Sequence, residues 1–536
     1  MTWNFGDILD ALPNALPADA PAFIHGNRTI TWGETSHRSN NLARAILARG
    51  AKPGDKVAFY MRNRPEYGEA LAACFKGRLT HVNVNYRYKP DEVFYIFDDS
   101  DAQTIIYGSE FRDTVLQLKD RLSKVATFIE IGDDDPPAHF SERYEDLAAT
   151  GEGAPLGIER SPDDLLFIYT GGTTGMPKGV MWRHEDMREA QLDAVRRLGP
   201  APETLDAHLD FVRATGPGSR TLPACPMMHG TGLITAIGCM MNGGCVVTLE
   251  NPWFDADELW SVVARHRVQS IALVGDAFAK PMFKALEDQP GRHDTSSLVS
   301  VVSSGVMWSR EVKAGLLRHI PQVVLMDSFG ASEALGFGSS AMTKDGEVRT
   351  ATFQIGPRCK VFDEDENLVE PGTGKAGIIA ISGPIPLGYY KDPEKTAQTF
   401  RTIAGQRYSI PGDWCTVEAD GAMTLLGRGS ACINTAGEKV YPEEVEEALK
   451  THPIIEDALV VGVPDDKWGQ AVTGVVVVAS GVAFDEDDVR RHVRSSLAGY
   501  KTPKRVLVTQ VPLRASNGKA DYMAVTKFAR RNLGLA

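Results

Sequence analysis

At 536 residues the chain exceeds what one hydrophobic core usually holds, so two or more domains are expected. Its 43% hydrophobic and 24% charged residues are those of a globular protein and exclude disordered, collagen-like and small disulfide-scaffold classes. The 57 Lys and Arg stand against 70 Asp and Glu, a formal charge of −13, which disfavours a general binder of nucleic acid or anionic membrane.

Met1-Thr-Trp-Asn-Phe-Gly-Asp has neither a basic nor an apolar leader region, so no secretory signal is expected. Buried strands are predicted at Lys56–Met61 and Leu165–Tyr169. The weakly polar stretch Leu233–Leu249 contains Asn242 and three glycines and is too short to span a bilayer. Strands at Cys245–Leu249, Ser270–Val274 and Val323–Met326 alternate with helices at Asp255–His266, Ala279–Glu287 and Arg310–His319, which predicts α/β layers with a largely parallel sheet. From about Val361 the texture changes to short strands and turns such as Glu370-Pro-Gly-Thr-Gly374. A fresh unit begins after Arg428-Gly-Ser, with helices at Pro442–Lys450 and Asp485–Leu497 around strands at Ala458–Val463 and Val472–Val478, a small α+β domain over 431–536. The charge is unevenly placed. Residues 1–430 carry the whole excess, and 490–531 holds 11 basic residues against Asp521 alone. Seven cysteines with no CxxC pair read as reduced, packed thiols and point to a cytoplasmic chain.

The most informative stretch runs from Thr170 to Lys178, where Gly171, Gly172 and Gly175 are interleaved with Thr170, Thr173 and Thr174 and closed by Lys178. Glycines let backbone N–H groups turn inward as an anion nest, hydroxyls add donors, and the lysine adds charge, which suits a polyphosphate. It is not a Walker A loop, because no Gly-Lys-Ser/Thr follows at the required spacing. Gly372-Thr-Gly-Lys-Ala-Gly377 fits the dinucleotide pattern GxGxxG, but it precedes the β-like run Ile378–Ser382 rather than a helix and is read as a turn.

Thr170–Gly179 resembles the signature loop of the adenylate-forming superfamily of acyl-CoA synthetases, luciferases and adenylation domains, and further motifs follow in that superfamily's order. They are Phe329-Gly-Ala-Ser-Glu333, Tyr408-Ser-Ile-Pro-Gly-Asp413, Gly427-Arg428, Gly437–Glu446, Gly499–Pro503 and Gly518-Lys519. Lys178–Asp186 and Gly388–Thr396 further resemble actinobacterial-type synthetases of steroid side-chain and other bulky acids. The resemblance implies a large α/β domain over 1–427 (layered sheets plus a small β-barrel-like subdomain), a hinge at 428–430 and a mobile α+β domain over 431–536. It implies attack of a carboxylate on ATP to give acyl-AMP, then displacement of AMP by coenzyme A. Thr170 to Lys178 would hold the β- and γ-phosphates, Glu333 and Thr170 Mg²⁺, and Asp413 the ribose with Arg428 alongside. Ser304, Gly305 and the run Asp327, Ser328, Phe329, Gly330, Ala331 and Ser332 would line the nucleotide, with Gly437 and Lys439 on the mobile domain. Lys519 would bridge carboxylate and phosphate at the transition state. The basic strip would be the mobile domain's phosphate-facing side.

The sequence departs from the family at Ser430, where the hinge residue is usually Asp or Lys, and at Gly305-Val-Met, where Gly-Ala-Pro is usual beside adenine. Gly172 replaces a frequent serine, and Pro512–Gly518 is one residue longer than usual. Amino-acid-activating relatives carry an aspartate where this chain has Pro226-Met-Met-His229-Gly230-Thr231, so a free amino acid is not expected. His229 would gate the tunnel between adenylate and acyl sites. Gly230, Gly232, Val274, Gly275, Ala277, Ser304 and Gly336-Phe337-Gly338 would line a roomy acyl pocket, with Asp276 an unexplained polar group nearby. Expected partners are a small carboxylic acid, ATP and coenzyme A, with no nucleic acid and no integral membrane segment; homodimerisation is left open. The alternatives are an adenylation enzyme loading a separate carrier protein and a non-enzymatic nucleotide sensor, the latter disfavoured by Glu333 and Lys519.

Overall fold

The computed structural model describes residues 3–132, 136–170, 176–196, 199–306, 308–346, 352–428, 433–435, 438–465, 469–497, 499–514 and 520–535. The chain forms two compact units, one of Met1–Val348 with Ser382–Ser409, the other of Arg349–Ile381 with Ile410–Ala536.

The first unit contains two sheets built on parallel strands. One runs in the order Arg28–Thr31, Pro21–His25, Cys245–Thr248, Arg220–Pro223, Ser270–Leu273, Ser300–Ser304, Val324–Ala331 and Ala334–Met342, antiparallel at its first and last pairings. The other runs Gly388–Tyr389, Lys178–Arg183, Leu165–Thr170, Thr80–Asn83, Lys56–Tyr60, Ala102–Gly108, Thr127–Ile131 and Glu142–Arg143, parallel from Leu165–Thr170 onward. Between them lies the helix Pro65–Lys76, every residue of which is buried. A Cβ on Gly68 would stand 2.2 Å from the Phe23 ring, so the helix approaches its strand closer than any side chain permits. Polar contacts beside this layer include Asn63 Nδ2 donating to Pro223 O at 3.2 Å and Cys225 O at 3.1 Å, and Tyr67 Oη bonding His81 Nε2 at 3.1 Å. Burial drives the His81 imidazole down to about 3, so it is held neutral.

In the second unit the strands Thr352–Ile355, Ala422–Arg428, Asp413–Val417, Gly377–Ser382 and Cys359–Phe362 pair antiparallel in that order. Gly377 thus opens a strand, as its turn reading requires. The hairpin Ile455–Asp465/Gly469–Val478, with Arg505–Val508 parallel beside it, has apolar side chains on both faces. Val460, Val472 and Val476 pack with Val445 and Leu449 of the helix Pro442–Lys450 and Val489 and Val493 of Glu486–Ser496. Leu459, Val461 and Val475 pack on Val525 and Ala529 of Tyr522–Asn532. Burial on both faces explains the unbroken apolar run of its sequence.

Candidate active site

Thr170 ends its strand, Lys178 opens the next, and the two are opposite partners in an antiparallel ladder, so the chain doubles back across the glycine- and threonine-rich stretch. Gly171, Gly172, Thr173, Thr174 and Gly175 lie outside the described residues. The base of the bend is fixed from below. Tyr169 N–H donates to Asn83 Oδ1 at 2.7 Å, and Asn83 Nδ2 donates to Tyr169 O at 3.0 Å and Met228 O at 2.6 Å. The Lys178 ammonium pairs with Asp392, which also caps the helix Pro393–Thr399 by accepting from Lys395 N–H at 2.8 Å. These bonds, that of Lys178 foremost, hold the Asp392 carboxyl below its usual range.

Ala331 and Ala334 are opposed in the hairpin of Val324–Ala331 and Ala334–Met342, which puts Ser332 and Glu333 at its two-residue tip. The tip is gripped by Trp182 Nε1 donating to Ser332 O at 2.8 Å and Ser409 Oγ donating to Glu333 O at 2.6 Å. Glu333 is buried, and its Oε1 accepts from Tyr389 Oη at 2.7 Å. Its Oε2 accepts no hydrogen bond among the described residues, so a hard carboxylate oxygen is left for a cation such as Mg²⁺. Tyr389, Asp392 and Ser409 were not expected as site residues, although all three stand in stretches, Gly388–Thr396 and Tyr408–Asp413, that carry the family resemblance.

The other predicted residues of this unit lie at or just past the carboxyl ends of its parallel strands, where open α/β sheets bind ligands, or within the hairpin Val324–Ala331/Ala334–Met342. Gly305 follows Ser300–Ser304 at φ +85°, and a Cβ there would meet Thr231 Oγ1 at 3.8 Å and Val274 Cγ1 at 3.9 Å. A Cβ on Gly230 would meet Ser332 Oγ at 3.5 Å, Ser304 is opposite Ser328, and Phe329 is opposite Gly338 with its ring 5.3 Å from that of Phe337. His229 precedes the helix Gly230–Met241, its N–H donating to Pro226 O at 3.1 Å. Gly275 N–H donates to Ser303 Oγ at 3.0 Å, and Ala277 lies in the first turn of the helix that follows. Asp276 is accounted for: its Oδ1 accepts Ser309 N–H at 2.8 Å and ties two helix starts together. The Asp327 carboxylate is taken up by the Lys313 ammonium from the helix Arg310–His319; burial raises its pKa in spite of that pair.

A cavity of ≈ 270 Å³ opens in the same unit against Pro226, one turn before His229. It is lined by Arg62, Arg64, Arg87, Tyr86 and Trp253, with Glu110 and Glu250 also on its wall. The Arg62 guanidinium lies 5.1 Å from the centres of both the Tyr86 and Trp253 rings.

In the second unit Asp413 is buried at the start of its strand, directly opposite Arg428. The side chains of Arg428 and Lys439, and Gly437 and Lys519 entirely, lie outside the described residues. Arg514 and Ala520, which flank 515–519, form an isolated antiparallel bridge. Arg514 grips Asp457 through two bonds of 2.8 and 3.0 Å. The basic strip finds its acids elsewhere in this unit. Arg490 meets Asp487, Arg491 Asp488, Lys501 Glu444, Arg505 Glu486 and Arg514 Asp457, all with partners outside 490–531. Five of the eleven cations of the strip are thus paired with carboxylates of their own unit. No helix among the described residues is long and apolar enough to cross a membrane.

The AMP-binding enzyme pattern matches residues 11–390, and that of the AMP-binding enzyme C-terminal domain matches 444–519. The chain is 40% identical to a 3-oxocholest-4-en-26-oate–CoA ligase from Rhodococcus rhodochrous, covering 100% of this chain and 97% of that one. It is 39% identical to a medium/long-chain-fatty-acid–CoA/3-oxocholest-4-en-26-oate–CoA ligase from Mycolicibacterium smegmatis, covering 97% and 96%. In fold it is similar to the anthranilate–CoA ligase AuaEII, with a TM-score of 0.84 at 21% identity over 100% and 98% of the two chains. The amide bond synthetase McbA from Marinactinospora thermotolerans gives 0.83 at 24% over 98% and 99%. Signature bend, acidic hairpin tip and full-length similarity agree: the chain belongs to the AMP-binding enzymes of the adenylate-forming superfamily, among the acid–CoA ligases.

Proposed function

We propose that the protein joins a bulky apolar acid, of the steroid side-chain or medium- to long-chain fatty type, to coenzyme A. The observation that carries this is the 40% identity, over the whole chain, to a ligase of 3-oxocholest-4-en-26-oate. The pocket side supports it, since Gly230, Gly275 and Gly305 carry no side chain near the strand ends and Pro226–Thr231 offers no carboxylate to an amino group.

In the first step a carboxylate oxygen of the acid bonds to the α-phosphorus of ATP and pyrophosphate leaves. In the second, the thiol sulfur of coenzyme A bonds to the acyl carbon and AMP leaves. Bringing an anion onto a polyanion makes charge neutralisation and in-line placement the dominant demands. Lys178 and the stretch from Thr170 would hold the outer phosphates, and Glu333 with Thr170 the magnesium ion, which supplies positive charge between them when bound. Asp413 would bind the ribose hydroxyls, with Arg428 and Lys439 nearby. Lys519 would stabilise the charge that develops between carboxylate and phosphate. The pivot between domains would be 428–430, which falls between the two matched family regions. Coenzyme A would lay its phosphorylated nucleotide in the cavity of Arg62, Arg64 and Arg87, whose rings suit a purine. The cysteine pattern fits a cytoplasmic enzyme.

A panel of acids compared by kcat/KM, with AMP release followed with and without coenzyme A, tests the reading. Steroid side-chain and longer fatty acids should lead, and turnover should require coenzyme A. A lead for acetate or a free amino acid overturns the substrate class.

A further inference from the structure

Five consecutive residues, Gly388 to Asp392, reach both charged groups of the phosphate site. Tyr389, itself buried, donates to Glu333 Oε1, and Asp392 holds the Lys178 ammonium. Their backbone is riveted to the strand that Lys178 opens. Gly388 and Tyr389 pair with Met181 and Val180, Leu387 N–H donates to Met181 O at 2.9 Å, and Tyr390 N–H donates to Gly179 O at 2.8 Å. A second anchor lies at Asp101, which accepts from Tyr390 Oη at 2.7 Å and meets Lys391 Nζ at 2.8 Å. The segment is thus held at two points of one sheet while its two remaining side chains face the site.

Each contact does something definite. A phenol bonded to one carboxylate oxygen fixes the plane of the group and leaves the other oxygen to a cation, as partners of metal ligands do. Lysine has a long, flexible stem, and an anion placed within its reach narrows where its ammonium waits. The Lys178–Asp392 pair is partly exposed (36% and 24%), so it is weak enough for a phosphate to break.

We propose that Gly388–Asp392 is a positioning bracket for magnesium-bound phosphates: Tyr389 aims Glu333 at the cation, and Asp392 parks Lys178 until a phosphate takes it over. This rests on the reading of Lys178 and Glu333 as the phosphate and magnesium site.

Titration calorimetry of the full chain with ATP, in magnesium and in EDTA, tests it on Tyr389→Phe and on Asp392→Asn, whose amide still caps the helix. Wild-type binding that ignores magnesium would overturn the site reading itself. With magnesium-dependent binding in hand, Tyr389→Phe should lose about tenfold or more of the affinity in magnesium and stay within about twofold in EDTA. Asp392→Asn should bind ATP about two- to fivefold tighter in both conditions, since no ion pair has to be broken. An unchanged Kd in either variant overturns that half of the proposal. A general loosening is told apart in the Glu333→Gln background. There Tyr389→Phe should cost nothing further, and an undiminished second loss would make Tyr389 merely structural and sink its role.

Discussion

Tyr522 donates its hydroxyl hydrogen to Glu446 Oε1 at 3.0 Å, and the same oxygen accepts Val460 N–H at 2.9 Å. Burial lifts the Glu446 carboxyl to about 7, against the opposing pull of Lys450 and Arg514. The folded chain therefore keeps a proton that the unfolded chain has released, and stability falls as pH rises from the ordinary glutamate value through about 7. Glu446→Gln should flatten this slope, read as urea midpoints of both proteins at pH 5 and pH 7.5. Parallel slopes would contradict it.

Gly388 adopts φ +150°, and a Cβ there would lie 2.4 Å from Thr396 Cγ2. Gly388→Ala should cost about 2–3 kcal/mol in urea denaturation from strain and overpacking. Adding Thr396→Ser removes the struck methyl while keeping the hydroxyl that accepts Tyr389 N–H, and should restore part of the loss.

Arg514 and Tyr522 stand on either side of the segment that carries Lys519, each tied to an element of the C-terminal unit. Lys519→Ala should abolish ATP–pyrophosphate exchange and spare thioester formation from synthetic acyl-AMP. Arg514→Lys keeps the charge but not the two-bond grip on Asp457, and should slow exchange by about tenfold. Normal exchange in Lys519→Ala would overturn that residue's assignment.

Trp253 is 67% exposed on the wall of the arginine cavity, so its loss should not disturb folding. Trp253→Ala and Arg87→Ala should raise KM for coenzyme A about tenfold or more and leave ATP–pyrophosphate exchange within about twofold. An unaltered KM in both would place coenzyme A elsewhere.

The helix Pro442–Lys450 was legible to its ends, because a proline at the first turn and an apolar stripe mark it locally. The phosphate stretch was legible through its unusual composition. The strand expected to stop at Met326 runs on to Ala331: Asp327 interrupts the apolar run, but Lys313 neutralises it in place and the pairing continues. Tyr389 and Asp392 were not legible as site residues. Asp392 lies 214 residues from Lys178, and the strand that brings them together has two residues, too short for any periodic signal. The role of Asp276 was hidden because its partner is the backbone of Ser309, which no side-chain pattern records. The pairing within the basic strip was only partly legible: Arg490 and Arg491 meet Asp487 and Asp488 three residues away, whereas the partners of Lys501 and Arg514 lie 57 residues away and are brought together only by the fold.

The facing of Thr170 and Lys178 across one ladder sets a rule for how this nucleotide loop can change over time. Seven residues, 171–177, separate the two. A slip of one step in that ladder would turn Val180 and Trp182 from the interior to the opposite face. Their burial therefore pins the register, and a residue gained or lost between the strands has to be taken up within 171–177 itself. The sheet thus keeps Lys178 in place while the stretch before it is free to change.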